Sequence, residues 1–173
     1  MSDGSPGRHA HAGIERAGGF AVLTVSDTRT PSTDEAGRAI RERLNRAGHR
    51  VLEQRILPDE PEAVRAQLLA WLARTDCDGA IVSGGTGIAV RDRTYEAVVE
   101  LLDKRLDGFG ELFRALSYRS IGSAAMLSRA VGGVARGKLV FSIPGAPRAV
   151  ELALDELIVP ELPHLLSELA KQG

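Results

Sequence analysis

Residues 79–87 read Gly-Ala-Ile-Val-Ser-Gly-Gly-Thr-Gly, and the rest of the chain organises around that stretch. Gly79 to Ser83 is a run of small and β-branched residues, the composition of a strand buried on both faces. Gly84-Gly85-Thr86-Gly87 breaks it abruptly, and a helix is predicted from about Thr94 to Arg105. Phe20 to Val25 repeats the pattern as a first strand, ended by the polar segment Ser26 to Thr33. Ser32 and Glu35 stand at capping-box spacing, and Ala36, Ile40 and Leu44 recur with helical period until Gly48 supplies a left-handed stop. Val51 to Leu57 reads as a second strand. Asp59 and Glu62 repeat the capping-box spacing around Pro61, opening a helix to about Arg74. Lys138 to Ile143 is a further strand, ending in Pro144-Gly145-Ala146-Pro147, with Val150 to Leu157 and Pro160 to Ala170 as closing helices. Strands separated by helices of roughly ten to fifteen residues form right-handed βαβ units, so the fold class is α/β, a three-layer α/β/α sandwich with a mostly parallel central sheet. Between Gly108 and Val134 apolar residues at helical spacing alternate with glycines, and short helices covering one end of the sheet are expected there. Phe109, Phe113 and Leu116 suit either the core or an interface between copies of the chain.

The 173 residues suit one domain, given ~100–200 residues per domain. We place a flexible leader at 1–19 and a single folded domain at 20–173. Apolar residues make up 43% and charged residues 26%, a globular balance that excludes fibrous or wholly disordered classes. Twenty-two basic side chains against twenty-three acidic ones leave no basic excess, which argues against nucleic acid as a partner. The longest apolar run, Leu68 to Ala73, falls well short of the ~18 residues of a spanning helix, so no membrane is expected. The single cysteine, Cys77, forms no intrachain disulfide and suggests a reducing, cytoplasmic setting. His9 and His11 could pair on a metal, but in a leader they carry no folded geometry.

In open parallel sheets ligands sit at the carboxyl ends of the strands. That rule selects Ser26-Asp27, Pro58-Asp59-Glu60, Ser83 to Asp92, and Pro144 to Pro147. Ser83-Gly84-Gly85-Thr86-Gly87 combines glycines, which let amides turn toward an anion, with hydroxyl donors; a phosphate is its natural guest, and a plain strand-exit turn is the alternative. A dinucleotide fingerprint would need glycine at Val90. Gly132 to Lys138 imitates a P-loop, but Leu139 stands where Ser or Thr should hold Mg²⁺, and Lys138 opens a strand instead of a helix. Asp92, between Arg91 and Arg93, either sits beside phosphate in the glycine loop or caps the following helix; Asp59 carries the same ambiguity. Two carboxylates at two strand ends are what a Mg-nucleotide site requires. No histidine or cysteine stands in a hydrolase or zinc pattern.

Ser26-Asp27-Thr28, Asp34-Glu35-Ala36-Gly37, Leu57-Pro58-Asp59, Ser83 to Gly87 with Arg91-Asp92 and Thr94, Gly108 to Arg114, Ala125-Met126-Leu127-Ser128-Arg129 and Pro144 to Pro147 together resemble the MoaB/MogA family of molybdenum cofactor biosynthesis. The match runs in order from about Phe20 to Leu166. The resemblance implies a molybdopterin-binding domain whose active members use Mg²⁺ and ATP to adenylylate the terminal phosphate of molybdopterin, releasing pyrophosphate. By position it implies Asp59 for the reaction and Asp92 for Mg²⁺. It implies Gly84, Gly85, Thr86 and Gly87 around the pterin phosphate, with Ser83 and Thr86 donating. Ser26, Asp27, Glu111, Ser128, Pro144, Gly145, Ala146 and Pro147 would line the remaining pocket. Phosphoryl chemistry needs charge neutralisation and alignment instead of a protein nucleophile, a role in which Arg91 or Arg93 could share. Ala146 departs from the Ser or Asn of many relatives, and Tyr95 from the proline before Glu96 in the transferase branch. The resemblance further implies a homotrimer or hexamer and hand-off to a molybdenum-insertion protein. A non-catalytic pterin carrier and a general nucleotide-handling enzyme are the alternative readings.

Overall fold

A computed structural model describes residues 16–171. His9, His11 and the rest of the expected leader up to residue 15 lie outside the described residues, while its last residue, Gly19, opens the first strand. Six strands form one sheet in the order β2-β1-β3-β6-β5-β4. They are β1 (Gly19–Val25), β2 (Arg50–Leu57), β3 (Gly79–Ser83), β4 (Lys104–Arg105), β5 (Val131–Ala135) and β6 (Lys138–Ile143). β1, β2, β3 and β6 run parallel, while β5 and β4 are antiparallel additions at one edge. The sheet is therefore mostly parallel, with helices on both faces.

The period-two alternation of the strands divides the core. Phe20, Val22, Ile81, Leu139 and Phe141 face α1 (Glu35–Arg46), α4 (Asp107–Ile121) and the C-terminal helices. Ala21, Leu23, Ala80, Val82 and Val140 face α2 (Pro61–Leu72) and α3 (Thr94–Val99). Burial on both sides is why β1 and β3 read as unbroken apolar runs. Phe109 and Phe113 are core residues, Phe109 tilting against Phe141 at 5.1 Å between ring centroids. The exposed apolar residues of this region are others: Leu112, Tyr118 and Ile121 on α4, then Met126 and Leu127 on the 3₁₀ turn Gly122–Leu127.

Several local expectations are corrected. The cap of α1 is Asp34, not Ser32: its carboxylate accepts from the Gly37 amide at 2.8 Å, while the Ser32 hydroxyl stays with Thr30 in the preceding turn. Asp59 does not cap α2, which starts behind Glu60 with no side-chain cap. Asp92 does not cap α3, whose N-cap is Arg93. The helix expected to reach Arg105 ends at Val99, because the chain then turns outward to pair with β5, with the Asp103 and Leu106 amides donating to Val134 O and Gly132 O at 2.8 Å. Residues 108–134 hold one long helix, a 3₁₀ turn and β5, where only short helices were expected. The two closing helices are continuous. α5 (Pro147–Leu152) passes through a π-helical stretch, Ala153–Ile158, into α6 (Val159–Ala170). The wider π turn lies just ahead of Pro160 and Pro163, which lack amide hydrogens for a regular ladder. Lys138 opens β6 after a two-residue turn at Arg136 and Gly137, both of positive φ, and its ammonium binds the carbonyls of Arg74 and Cys77, so it has no P-loop role.

Asp34 joins the first three elements. Only 1% exposed, it accepts from the Thr24 hydroxyl of β1 (2.9 Å), Gly37 of α1 and the Gln54 amide of β2 (3.0 Å). Replacing it with alanine removes a cap and orphans the buried Thr24 hydroxyl and the half-buried Gln54 amide, for an expected loss of about 3 kcal/mol of unfolding free energy in urea at pH 7. Asp34→Asn keeps an acceptor oxygen and is expected to lose roughly half as much. A loss below about 0.5 kcal/mol in the alanine variant contradicts this role.

Candidate functional site

The loops after β1, β2, β3 and β6 meet at one end of the sheet, and backbone bonds fix them to one another. The Ser26 amide donates to Leu57 O at 2.8 Å, tying the loop after β1 to the end of β2; the Gly84 amide donates to Ile143 O at 3.0 Å, tying the loop after β3 to the end of β6. The loop following β6 lies against the glycine loop, with Gly145 close enough that a Cβ there would sit 3.3 Å from Gly84 Cα.

Both sequence-predicted aspartates rest on the glycine loop. At Gly85, with φ +63°, a Cβ would fall 2.1 Å from Thr94 Oγ1 and 2.6 Å from Asp59 Oδ2. At Gly87 it would fall 2.4 Å from Asp92 Oδ2. Only glycine admits these contacts. Thr94, buried at the start of α3, donates its hydroxyl to Asp59 Oδ1 at 3.1 Å, while its amide donates to Gly85 O. That hydrogen bond, with the gap that a side chain at Gly85 would close, draws Asp59 away from the helix it was expected to cap. Asp92 instead accepts from the Ala89 amide at 3.1 Å and closes the loop on itself. Among the described residues the amides of Gly85, Thr86, Gly87 and Ile88 have no protein acceptor.

A third carboxylate joins these two. Asp27 Oδ1 lies 3.4 Å from the Asp59 amide, and Asp27 Oδ2 pairs with Arg91 at 2.8 Å. Burial first, and the charges of Asp92 and Asp27 after it, push the Asp59 carboxyl above the usual aspartate range; the Thr94 hydroxyl and the Arg93 amide pull it partly back. The site thus holds more negative charge than the chain neutralises locally. Arg91 reaches into it at the rim through Asp27, and Arg93 turns its side chain to solvent.

One hollow meets the glycine loop at Gly84, and a second adjoins it through the loop after β1. The first, of about 100 Å³, is lined by Thr24, Asp34, Ser83, Gly84, Gly145 and Pro147. Ser83 is fully buried at its base, its hydroxyl 3.5 Å from that of Thr24. Ser26 and Arg29 border this hollow and also a larger one of about 670 Å³, which runs along β2 past Asp27, Leu57 and Pro58 to Arg41. Thr86 is buried within the loop, and Ala146 and Pro147 are exposed at the start of α5. Glu111 stands apart. It lines a separate depression of about 240 Å³ with Arg105, Asp107 and Arg114, and no contact joins it to either aspartate. Ser128 contributes its carbonyl to Arg114. Its neighbour Arg129 carries the connection to the glycine loop; like Thr94 and Asp34, it stands in the segments that carry the resemblance but was given no role there. All three act through backbone groups or buried partners that spacing does not reveal. The one available signal was Asp34, an aspartate three residues before Gly37.

Cys77 takes no part: burial raises its thiol, whose Sγ faces Gly79 O. No helix among the described residues is long and apolar enough to cross a membrane.

Comparison with known proteins gives a consistent result. Residues 21–164 match the family model described as a probable molybdopterin binding domain. The chain is 50% identical over 151 residues to the molybdenum cofactor biosynthesis protein B of Halalkalibacterium halodurans, covering 87% of this chain and 89% of that one. A crystal structure of a molybdenum cofactor biosynthesis protein B superposes with TM-score 0.89 at 47% identity, over 92% of this chain and 100% of the other. The tungsten cofactor synthesizing protein MoaB from Pyrococcus furiosus superposes with TM-score 0.80 at 36% identity, over 88% and 97%. With residues 21–164 matched by that family model, half of its aligned residues identical to those of a molybdenum cofactor biosynthesis protein B, and its fold superposing on a solved one over 92% of its length, the chain belongs to the MoaB/MogA family of molybdenum cofactor biosynthesis proteins.

Proposed function

We propose that this protein is a molybdopterin adenylyltransferase of the cytoplasm, transferring AMP from ATP to the phosphate of molybdopterin. The observation that supports this reading is the seating of Asp59 and Asp92 on a glycine loop whose amides lack protein acceptors. Such a loop suits a phosphate. The pterin phosphate occupies the glycine loop, and the adjoining hollow beside Asp27 and Arg29 has the size of a nucleotide pocket. A phosphate oxygen of the pterin attacks the α-phosphorus of ATP; the new P–O–P bond forms as the α–β bond breaks, and pyrophosphate leaves. No side chain needs to become covalently attached. The chain's part is to hold two anions in line and to exclude water.

The donor set fits Mg²⁺, which takes one or two protein carboxylates and completes its shell with phosphate oxygens and water. Among the described residues there is no cluster of three or more His, Cys, Asp or Glu that would hold a metal unaided, while Asp59 sits in the field of two other carboxylates. Asp92, with Asp59 beside it, would hold the ion, which supplies charge neutralisation on the triphosphate. Asp59 and Thr94 then fix the position of the reacting oxygens, and Arg91 is placed to offset charge at the rim.

With purified protein, molybdopterin, Mg²⁺ and ATP, adenylylated pterin and pyrophosphate are the expected products. Asp59→Ala and Asp92→Ala should each lower turnover at least about tenfold, ~1.4 kcal/mol in barrier. Unchanged turnover in both variants removes the site assignment. Tight pterin binding without ATP affinity replaces the transferase by a carrier.

The environment of Asp59 also costs stability. Its folded pKa is raised, so the ionised group weakens the fold; the loss begins as pH rises through the ordinary aspartate value of about 3.9 and is complete above the raised folded value. Asp59→Asn is expected to melt at a higher temperature than the parent at pH 7, with the difference closing by about pH 3.5 in thermal scans. A parent that melts higher at pH 7 refutes this.

Second copies of the chain are expected to cover the exposed Leu112, Ile121, Met126 and Leu127, giving a trimer or a pair of trimers. Sedimentation should report a particle several times the 18.4 kDa chain, and Leu112→Glu with Met126→Glu should reduce it. A parent that sediments as the monomer rules this assembly out.

A further inference from the structure

Arg129 follows the 3₁₀ turn at the end of α4 and lies against the glycine loop. Its guanidinium is engaged on every side. Nε donates to Thr86 O at 2.9 Å, and Nη2 donates to Gly87 O at 2.5 Å and to Asp92 O at 2.9 Å. Nη1 pairs with Glu96, and the cation lies 4.9 Å from the centre of the Tyr95 ring. Three carbonyls from two separate points of one loop thus converge on one side chain, which is 26% exposed. Five N–H donors serve the three carbonyls and Glu96 together, which the three donors of an ammonium could not.

The peptide unit is planar, with its C=O and N–H pointing in opposite directions. Holding the carbonyls of Thr86 and Gly87 toward Arg129 therefore turns the amides of Gly87 and Ile88 away from it, and these are two of the four loop amides without a protein acceptor. Holding the Asp92 carbonyl likewise aims the Arg93 amide away from Arg129, toward the side where it supports the Asp59 carboxylate. The positive charge itself is taken up by Glu96 and the Tyr95 face, so Arg129 reaches the site through geometry and not as a ligand for phosphate.

We propose that Arg129 is the positioning residue of the glycine loop: by binding the carbonyls of Thr86, Gly87 and Asp92 it presets the amides of Gly87 and Ile88 as the phosphate cradle and holds Asp92 against Gly87. This deepens the functional reading above and rests on it for the identity of the phosphate. Tyr95 and Glu96 act behind Arg129 as its support.

The test compares Arg129→Gln, Arg129→Lys, Arg129→Ala and, in case these fail to fold, Glu96→Gln, which loosens the clamp from outside the loop. In ligand-free protein, exchange of the hydrogen-bonded loop amides of Ala89, Asp92 and Thr94 should accelerate about tenfold or more in Arg129→Gln while the amides of β1, β3 and β6 keep their parent rates. The dissociation constant for molybdopterin should rise about tenfold or more, and that for ATP by less than about threefold. Arg129→Lys should fall between Gln and parent, and guanidinium ion at millimolar concentration should partly restore pterin binding to Arg129→Ala. Glu96→Gln should move both readouts in the same direction by a smaller factor. Equal weakening of both ligands, or exchange that accelerates throughout the sheet, reduces Arg129 to a general structural contact and overturns the proposal; so does an unchanged loop in Arg129→Gln. A parent that binds pterin without adenylylating it defeats the transferase reading alone, since the exchange and binding measurements still decide the role of Arg129.

Discussion

The site depends on one close approach: a carboxylate and a hydroxyl lie directly on a stretch of backbone with no side chain between them. Asp59 and Thr94 occupy the volume that a Cβ at Gly85 would fill, and Asp92 does the same at Gly87. Each aspartate comes from a loop different in origin or direction from the backbone it touches, so the loops after β2 and β3 can approach only if the glycine positions stay bare. Placing acidic oxygens next to unpartnered amides is a polar arrangement of two signs at very short range. It presents N–H donors and carboxylate oxygens side by side, and a Cβ at Gly85 or Gly87 would close the gap between them.

Most of the fold was legible because buried parallel strands and capped amphipathic helices leave strong local signals. Phe20 to Val25, Gly79 to Ser83 and Lys138 to Ile143 all became strands at or within a residue of their expected ends. The antiparallel edge was not legible. β5 begins Val131-Gly132-Gly133, a glycine pair that reads as loop, yet Gly132 lies flush under the Phe141 ring, where a Cβ would come within 2.6 Å. That glycine reports tight packing across the sheet, a cause that lies in residue 141 and cannot be read from its own neighbourhood. β4, two residues long, exists only because β5 offers it an edge. The caps failed for a related reason. Ser32, Asp34, Asp59 and Asp92 are all good cap residues, and which of them caps is settled by what else is within reach; Asp34 keeps the role, while Thr94 and Ala89 claim the other two aspartates.

The candidate site divides along the same line. The strand-end rule and the glycine run found Ser26, Asp27, Asp59, Gly84 to Gly87, Asp92 and the Pro144 to Pro147 turn, which the structure gathers at one end of the sheet. The family resemblance grouped Glu111 with them, although that residue faces another depression. It passed over Arg129 and Asp34, whose partners are mostly backbone atoms or residues buried far along the chain. A side chain that serves by holding carbonyls in place has no preferred spacing to its partners, since any residue can supply a carbonyl.

Topology explains why these groups meet where they do. From β1 the chain crosses by α1, on one face, to β2 at the edge; it returns by α2, on the other face, to β3 on the far side of β1. The segments leaving β1 and β3 therefore diverge toward opposite faces and open a crevice at their carboxyl ends, the switch point at which open α/β sheets take ligands. Asp27 stands on one lip of that crevice and the glycine loop on the other, and Asp59 enters from the end of β2 to touch both. A crevice formed by the chain's own path needs no special residues to exist. What the sequence adds is its chemistry: small residues along the floor, acids along one wall, and Arg129 behind the loop with its charge already taken by Glu96, so that it can fix the loop without competing for the anion the loop would receive.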